Sequence, residues 1–419
     1  MTTIGLIFLP FVLLVFRQNL ILILFSCAAY VHYFFGDGVL EYIIEDMWIG
    51  LDKEVLLSIP LFILCGSVMT QGMIAKRLIA IVTLITAPLP GGLAVATILS
   101  CAVFAAISGS SAVTLLSVGA VMYPALLKAG YDKKFALGAL ASGGTLGVVI
   151  PPSIPLILYG IVTETSITDL FKAGVIPGLI LTGLMAIYAL YVNRHVARQR
   201  WVLSDIITSL KEGIWSMLMP VILLGGIYSG HFSPTEAAAV ALGYALIVEI
   251  FIHREMKGSD FYGVALSTAK LLGTLYPLIA LAMSLNLLLT AEQVPQDLTT
   301  WMSAQIESPI AFLLAMNLLL LIVGCILDIN AGILILAPIL LPIAAAFGVD
   351  PVHLGIIMVV NLELGFLTPP IGINLMIAMA AFNERFKLIC QSVVPFIAII
   401  LCVIIAVTFI PELSLYLVD

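Results

Sequence analysis

Charge is what this 419-residue sequence has least of. Only 10% of its residues are Asp, Glu, Lys or Arg, against about 25% in a soluble domain, so a soluble globular fold is excluded. The six cysteines (Cys27, Cys65, Cys101, Cys325, Cys390 and Cys402) all lie in apolar stretches. None has metal-ligand spacing, and they read as small buried hydrophobes. Each of the five histidines (His32, His195, His231, His253 and His353) falls at the end of an apolar run. That leaves no imidazole base for a serine intramembrane protease. An aspartyl protease needs two adjacent acids at membrane depth, whereas Asp132 and Asp350 are expected at opposite surfaces. No filter loop repeats and no ring of like charge occurs, so a channel is not indicated. An enzyme is not expected, nor is nucleic acid as a partner. No Lys or Arg precedes Arg17, so residues 4–16 are expected to be a retained segment, not a cleaved signal.

What is abundant is apolar: 62% of residues are hydrophobic, in runs of helical length rather than barrel-like alternation. The expected fold is an all-α polytopic membrane protein. Residues 1–54 hold N-terminal spans and an acidic amphipathic stretch. Residues 55–192 form a first unit, 193–270 a central set of spans with an amphipathic connector, 271–411 a second unit, and 412–419 a tail.

Two stretches interrupt the apolar runs at corresponding places. One is Gly147-Val148-Val149-Ile150-Pro151-Pro152 and the other Gly365-Phe366-Leu367-Thr368-Pro369-Pro370. A proline inside a helix removes an N–H and displaces the carbonyl four residues back. The first pair is therefore expected to free the carbonyls of Gly147 and Val148, and the second those of Gly365 and Phe366. Within a bilayer such carbonyls are tolerated only in a protein-lined or wet cavity. Two broken helices, near 135–165 and 352–381, point to a transporter's binding site.

Basic residues set the orientation. With Lys76/Arg77, Lys128–Lys134, Arg194–Lys211, Arg254–Lys257 and Arg385/Lys387 in the cytoplasm, residues 92–127 must enter and leave on that side. They form a re-entrant helical hairpin with its tip at Ser108–Ser111. Residues 309–346, with acidic flanks, form a second hairpin from outside, tipped at Asp328–Asn330. Pro124 and Pro342 are 342 − 124 = 218 positions apart. The same offset pairs Gly130 with Gly348, Asp132 with Asp350, Gly147 with Gly365, Pro151 with Pro369, Pro152 with Pro370, and Ser110 with Asp328. Five crossings between the tips give the copies opposite orientation, an inverted-topology repeat.

Asp328 is costly at membrane depth and so is expected to face a cavity or a partner. It also suits a helix cap. Glu363 invites either a site role or a scaffold contact. Ser108, Ser110 and Ser111 beside Gly109 offer hydroxyls that also suit local backbone bonds. Thr145, Ser153, Asn361, Thr368 and Asn374 flank the breaks. Together these oxygens suit a hard cation, and the helix N-termini suit an anionic substrate.

Several motifs then accumulate. They include Leu89-Pro90-Gly91-Gly92-Leu93-Ala94, Phe104-Ala105-Ala106-Ile107-Ser108-Gly109-Ser110-Ser111, Phe232-Ser233-Pro234-Thr235-Glu236-Ala237 and Thr368-Pro369-Pro370-Ile371-Gly372-Ile373-Asn374. Over about residues 48–411 the chain resembles the large membrane subunit of TRAP transporters (DctM-like permeases). The resemblance implies a sodium-driven, elevator-type importer of organic acids, carboxylates by class, in the bacterial inner membrane. It implies no cofactor beyond Na+ as coupling ion. It also implies a small DctQ-like membrane subunit and a periplasmic substrate-binding protein. The alternative is a self-sufficient ion-coupled anion carrier of a related elevator fold. By motif, Ser108, Ser110, Ser153 and Asp328 fall where the family places ion and substrate contacts, with Gly144, Thr145, Asn361 and Thr368 beside them. The candidate set is completed by Gly109, Ser111, Gly147, Pro151, Asn330, Gly365 and Pro369. The sodium ligands are expected among Ser108, Ser110, Asp328 and the carbonyls of Gly147 and Gly365. Phe16-Arg17-Gln18-Asn19 departs from the family's usual Gly-Val-Pro-like turn.

Overall fold

The structure, a computed structural model, describes residues 9, 12, 13, 15, 16, 18–35, 38–197, 203–306 and 308–418. Most of the expected first segment, together with Arg17, Arg198, Arg200 and Glu307, lies outside the described residues. Every regular element among the described residues is helical. Nine stretches among them are long and apolar enough to cross a membrane.

One group of helices makes a frame: α1 (Leu20–Phe34), α2 (Tyr42–Leu51), α3 (Ser58–Gln71), α4 (Ile74–Thr86), α10 (Leu203–Tyr228), α11 (Pro234–Ile247) and α12 (Gly258–Ala291). Polar bonds tie it together. Asn19 caps α1 by accepting from the Ile21 N–H. His32 of α1 meets Ser284 of α12 at 3.1 Å. The buried Glu249, just past α11, accepts from the N–H groups of Met73 and Ile74 and so caps α4. Ser233 and Glu236 make a capping box at the start of α11. The amphipathic connector and the next span are one helix: α12 runs unbroken for 34 residues. The boundary expected at 270/271 falls inside it. Pro277 sits within this helix, but Gly258–Lys270 simply continues the helical run, with Ser259, Tyr262, Ser267 and Lys270 on exposed positions, Asp260 half-buried and Thr268 buried.

The remaining helices fall into two similar series. The first is α5 (Gly92–Ser108), α6 (Ser111–Lys128), α7 (Lys133–Val149), α8 (Ile154–Thr163) and α9 (Ile167–Val192). After α13 (Val294–Gln305), the second is α14 (Pro309–Gly324), α15 (Ile329–Ala346), α16 (Pro351–Gly365), α17 (Ile373–Phe382) and α18 (Phe386–Phe409), followed by the short α19 (Glu412–Leu415). Their lengths run 17, 18, 17, 10 and 26 residues against 16, 18, 15, 10 and 24. In each series a tight turn joins the first two helices, and a proline pair separates the third from the fourth. Asp132 caps α7 through the Phe135 N–H, and its offset partner Asp350 caps α16 through the N–H groups of Val352 and His353.

The series interlock. The Tyr159 hydroxyl of α8 donates to the Pro351 carbonyl at 2.6 Å. Lys133 at the start of α7 pairs with Glu384, in the α17–α18 loop, at 2.5 Å. Glu384 also accepts from Tyr123 of α6 at 3.0 Å. The Lys133 ammonium holds the Glu384 carboxyl below its ordinary range. Fewer polar bonds join the series to the frame. Thr70 of α3 meets Ser117 of α6 at 3.0 Å, Gly66 lies against the Ser108 backbone, and Lys53 donates to the Ile161 carbonyl at 3.3 Å.

Candidate functional site

Both tight turns arise from local chemistry. Gly109 ends α5 with φ +60°, a left-handed conformation that glycine adopts at little cost. Its carbonyl accepts from the Ile154 N–H at 3.3 Å, tying the first turn to the first break. At the other turn, Asp328 caps α15 by accepting from the Asn330 N–H at 3.0 Å. The capping role considered for Asp328 is therefore present. It is compatible with a site role, because the residue also lines the central cavity.

That cavity, about 390 Å³, lies between the two turns and the frame. The first turn contributes Gly109, Ser110 and Ser111, and the second contributes Asp328, Ile329 and Asn330. Ile154 and Ile373 bring the starts of α8 and α17. Ser111, Ile329, Ile154 and Ile373 are each the first residue of their helix. Four helix N-termini thus meet at one cavity. Each carries partial positive charge from unpaired backbone N–H groups. Among the described residues no Lys, Arg or His lines the wall.

Of the candidate residues, Gly109, Ser110, Ser111, Asp328 and Asn330 are brought together at this wall. Ser108 sits just behind it, its hydroxyl 2.7 Å from that of Thr114. Gly144 and Gly147 pack against the first turn. A Cβ at Gly147 would strike the Ser110 carbonyl, and one at Gly144 would press on Leu115 and the Ser111 carbonyl.

Other candidates are occupied elsewhere and do not line the cavity. The Thr145 hydroxyl donates to the Ser142 carbonyl, and Ser153 caps α8 through the Leu156 N–H. Asn361 donates to Asn317, and Thr368 donates to the Leu364 carbonyl. Pro151 and Pro369 shape the breaks without reaching the wall.

The two breaks differ, and one expectation needs correction. In the first, α7 ends at Val149 and α8 starts at Ile154. The carbonyls of Gly147 and Val148 lose their helical donors to Pro151 and Pro152, as expected. In the second, the chain between Gly365 and Ile373 folds back on itself. The Gly365 carbonyl accepts from the Thr368 N–H at 2.9 Å, and the Phe366 carbonyl from the Asn374 N–H at 3.2 Å. Gly365 and Phe366 are not orphan acceptors. In the longer second break Thr368 turns its N–H onto the Gly365 carbonyl, whereas Ile150, at the same offset in the first break, spends its N–H on the Leu146 carbonyl.

Residues not singled out beforehand also line the cavity. Asn19 and Thr274 bring polar atoms from α1 and α12, and Ile63 comes from α3. No periodicity marks them, because their role depends on how the frame meets the series. Asn374 and Glu363 lie directly behind the wall, at the Ser111 side chain.

Comparison with known proteins bears on family and fold. Residues 6–413 match the family model described as Tripartite ATP-independent periplasmic transporter, DctM component. The chain is 44% identical over 370 residues to the C4-dicarboxylate TRAP transporter large permease protein DctM of Pseudomonas aeruginosa, covering 87% of this chain and 86% of that one. It is 38% identical over 386 residues to the Vibrio cholerae protein of the same description, covering 86% and 85%. It is 35% identical over 392 residues to an ectoine/5-hydroxyectoine TRAP transporter large permease protein of Ruegeria pomeroyi, covering 92% and 91%. In fold it is similar to the YdaH transporter of Alcanivorax borkumensis, with TM-score 0.60 at 14% identity over 87% of this chain and 86% of that one.

Proposed function

Because the chain belongs to the DctM-component family of tripartite ATP-independent periplasmic transporters, and so is a transporter permease and not an enzyme, we propose that it carries an organic anion across the bacterial inner membrane, coupled to sodium. One observation carries the substrate class: four helix N-termini converge on a cavity with no basic side chain among the described residues of its wall. Backbone N–H groups at helix starts bind carboxylates without a lysine or arginine. A cavity of about 390 Å³ suits a small organic acid.

The coupling ion would be held by oxygens at and beside the turns. Ser110 and Asp328 line the wall, Ser108 lies behind it, and Gly147 has a carbonyl without a helical donor. This is the donor set that a hard cation prefers.

The two turns are the tips of re-entrant hairpins, and the two series are copies of an inverted-topology repeat. Basic loops then face the cytoplasm. The series move together as a rigid body against the frame in an elevator cycle. The sparse polar contacts between them (Thr70 with Ser117, Lys53 with Ile161) support that division. The frame would seat a small DctQ-like subunit, and a periplasmic binding protein would deliver the substrate.

The test is reconstitution. In liposomes this chain alone should take up no free substrate, and adding the small subunit, sodium and loaded binding protein should start uptake. Robust uptake by the lone chain without sodium would reject the reading.

A further inference from the structure

Behind the cavity wall lies a polar cluster to which the transport reading above assigns no role. Glu363 of α16 is 1% exposed. Its Oε1 lies 3.4 Å from the Asn374 side-chain amide, and its Oε2 has no hydrogen-bond partner. No Lys, Arg or His forms an ion pair with it among the described residues. Asp328 adds a second carboxyl within electrostatic reach. A desolvated carboxylate without a counter-charge is not tolerated at such a position. Either a proton or a bound cation must neutralise it.

The neighbouring hydrogen bonds indicate where. Asn374, fully buried, donates its side-chain amide to the Ser111 Oγ and, at 3.4 Å, to the Glu363 Oε1. Two oxygens of the cluster are then left buried with no hydrogen-bond partner, Glu363 Oε2 and Asn374 Oδ1. Partnerless oxygens, one of them a carboxylate's, are what a hard cation takes as ligands. One carboxylate with neutral oxygens balances a single positive charge.

We propose that Glu363, Asn374 and Ser111 form a buried monovalent-cation site, filled by sodium, behind the cavity and separate from the turn oxygens. It exists in one half only. At the 218-residue offset Glu363 corresponds to Thr145, whose hydroxyl is engaged by Ser142, and Asn374 corresponds to Leu156. The cluster also joins the two halves, since Ser111 belongs to α6 of the first series and Asn374 to α17 of the second. Sodium here would fasten the first turn to the second break.

The site rests on the sodium-coupled reading, and one experiment separates the two. The full chain in nanodiscs is unfolded thermally across a sodium chloride titration, with choline chloride holding ionic strength constant. The wild type should be stabilised by sodium. Glu363→Gln should need about tenfold more sodium for half the effect. Without sodium it should be at least as stable as the wild type, because an uncompensated buried charge is gone. Glu363→Asp, which keeps the charge, should respond to sodium more strongly than Glu363→Gln. An unchanged sodium half-point in Glu363→Gln, with the wild type responding, overturns this site and leaves sodium coupling standing. A wild type indifferent to sodium overturns both. If Glu363→Gln yields no folded protein, Asn374→Ala is read the same way, and an unshifted half-point there overturns the site.

Discussion

Gly365 lies so close to Gly324 that the Gly324 backbone occupies the space a Cβ on Gly365 would need. Gly147, 218 positions earlier, has the same relation to the Ser110 carbonyl. In both series the glycine at the end of the third helix lets that helix press against the turn region of the preceding pair. Only an absent side chain permits this approach.

Gly147→Ala and Gly365→Ala should therefore each destabilise the protein by about 1–3 kcal/mol, the usual cost of overpacking. Gly183→Ala in α9, where a Cβ meets nothing within 4 Å, should be neutral or gain up to about 1 kcal/mol from helix propensity. Thermal unfolding of the three variants in one detergent checks the order. Equal midpoints would remove close packing as the reason for the paired glycines.

Sidedness follows from the proposed repeat. A cysteine placed near Lys133 should be labelled only from the cytoplasm, and one near Asp350 only from the periplasm. Impermeant maleimide on cells and on inverted vesicles reads this out. Labelling of both from one side would reject an inverted topology.

Asp328 lines the cavity and caps α15 at once, and Asp328→Asn separates these roles. Asparagine caps about as well as aspartate, so assembly should be kept. Uptake should nonetheless collapse if the carboxylate serves ion or substrate. Ser110→Ala should weaken sodium dependence less, since it loses a neutral hydroxyl. Uptake against sodium concentration for both variants decides it, and normal sodium dependence in Asp328→Asn would leave that residue as a cap.

The Lys133–Glu384 pair makes a prediction in acid. Lys133 lowers the Glu384 carboxyl below its ordinary 4.5. A depressed folded-state value adds stability above the unfolded value, and that stability is lost as pH falls through the folded one. The wild type should accordingly lose more thermal stability than Glu384→Gln on going from neutral pH to below 4.5. Parallel pH profiles would show that the pair contributes nothing. The pair is partly exposed, so the difference should stay under about 1 kcal/mol.

How much of this was legible in the sequence depends on whether the signal was local. The double prolines act within a few residues, and the helices break where expected; the Ser233–Glu236 box and the acidic caps Asp132 and Asp350 are equally local. The turns at Gly109-Ser110 and before Ile329 also fall where expected. The Gly365 carbonyl was misjudged because its new donor, Thr368, depends on the path of a longer break. The continuity of α12 was missed because a polar stretch beside an apolar one resembles a boundary whenever its exposed face is unknown. Asn19, Thr274 and Ile63 reach the cavity only through the packing of frame against series; the unusual stretch 16–19 drew notice to the first without placing it at a cavity, and nothing local marks the other two.

The bond between Ser111 and Asn374 spans 263 residues, which has a consequence for how the chain is made. At about 5–20 residues per second, the ribosome emits the first polar turn about 13–50 s before its partner exists. During that interval the turn cannot lie against lipid with its hydroxyls and backbone unpaired. The helix already beside it is α3, whose Thr70 and Gly66 meet Ser117 and Ser108. In the nascent protein α3 would shelter the turn until α17 emerges. The same surface across which the proposed elevator motion would slide would first serve as a temporary shield during membrane insertion.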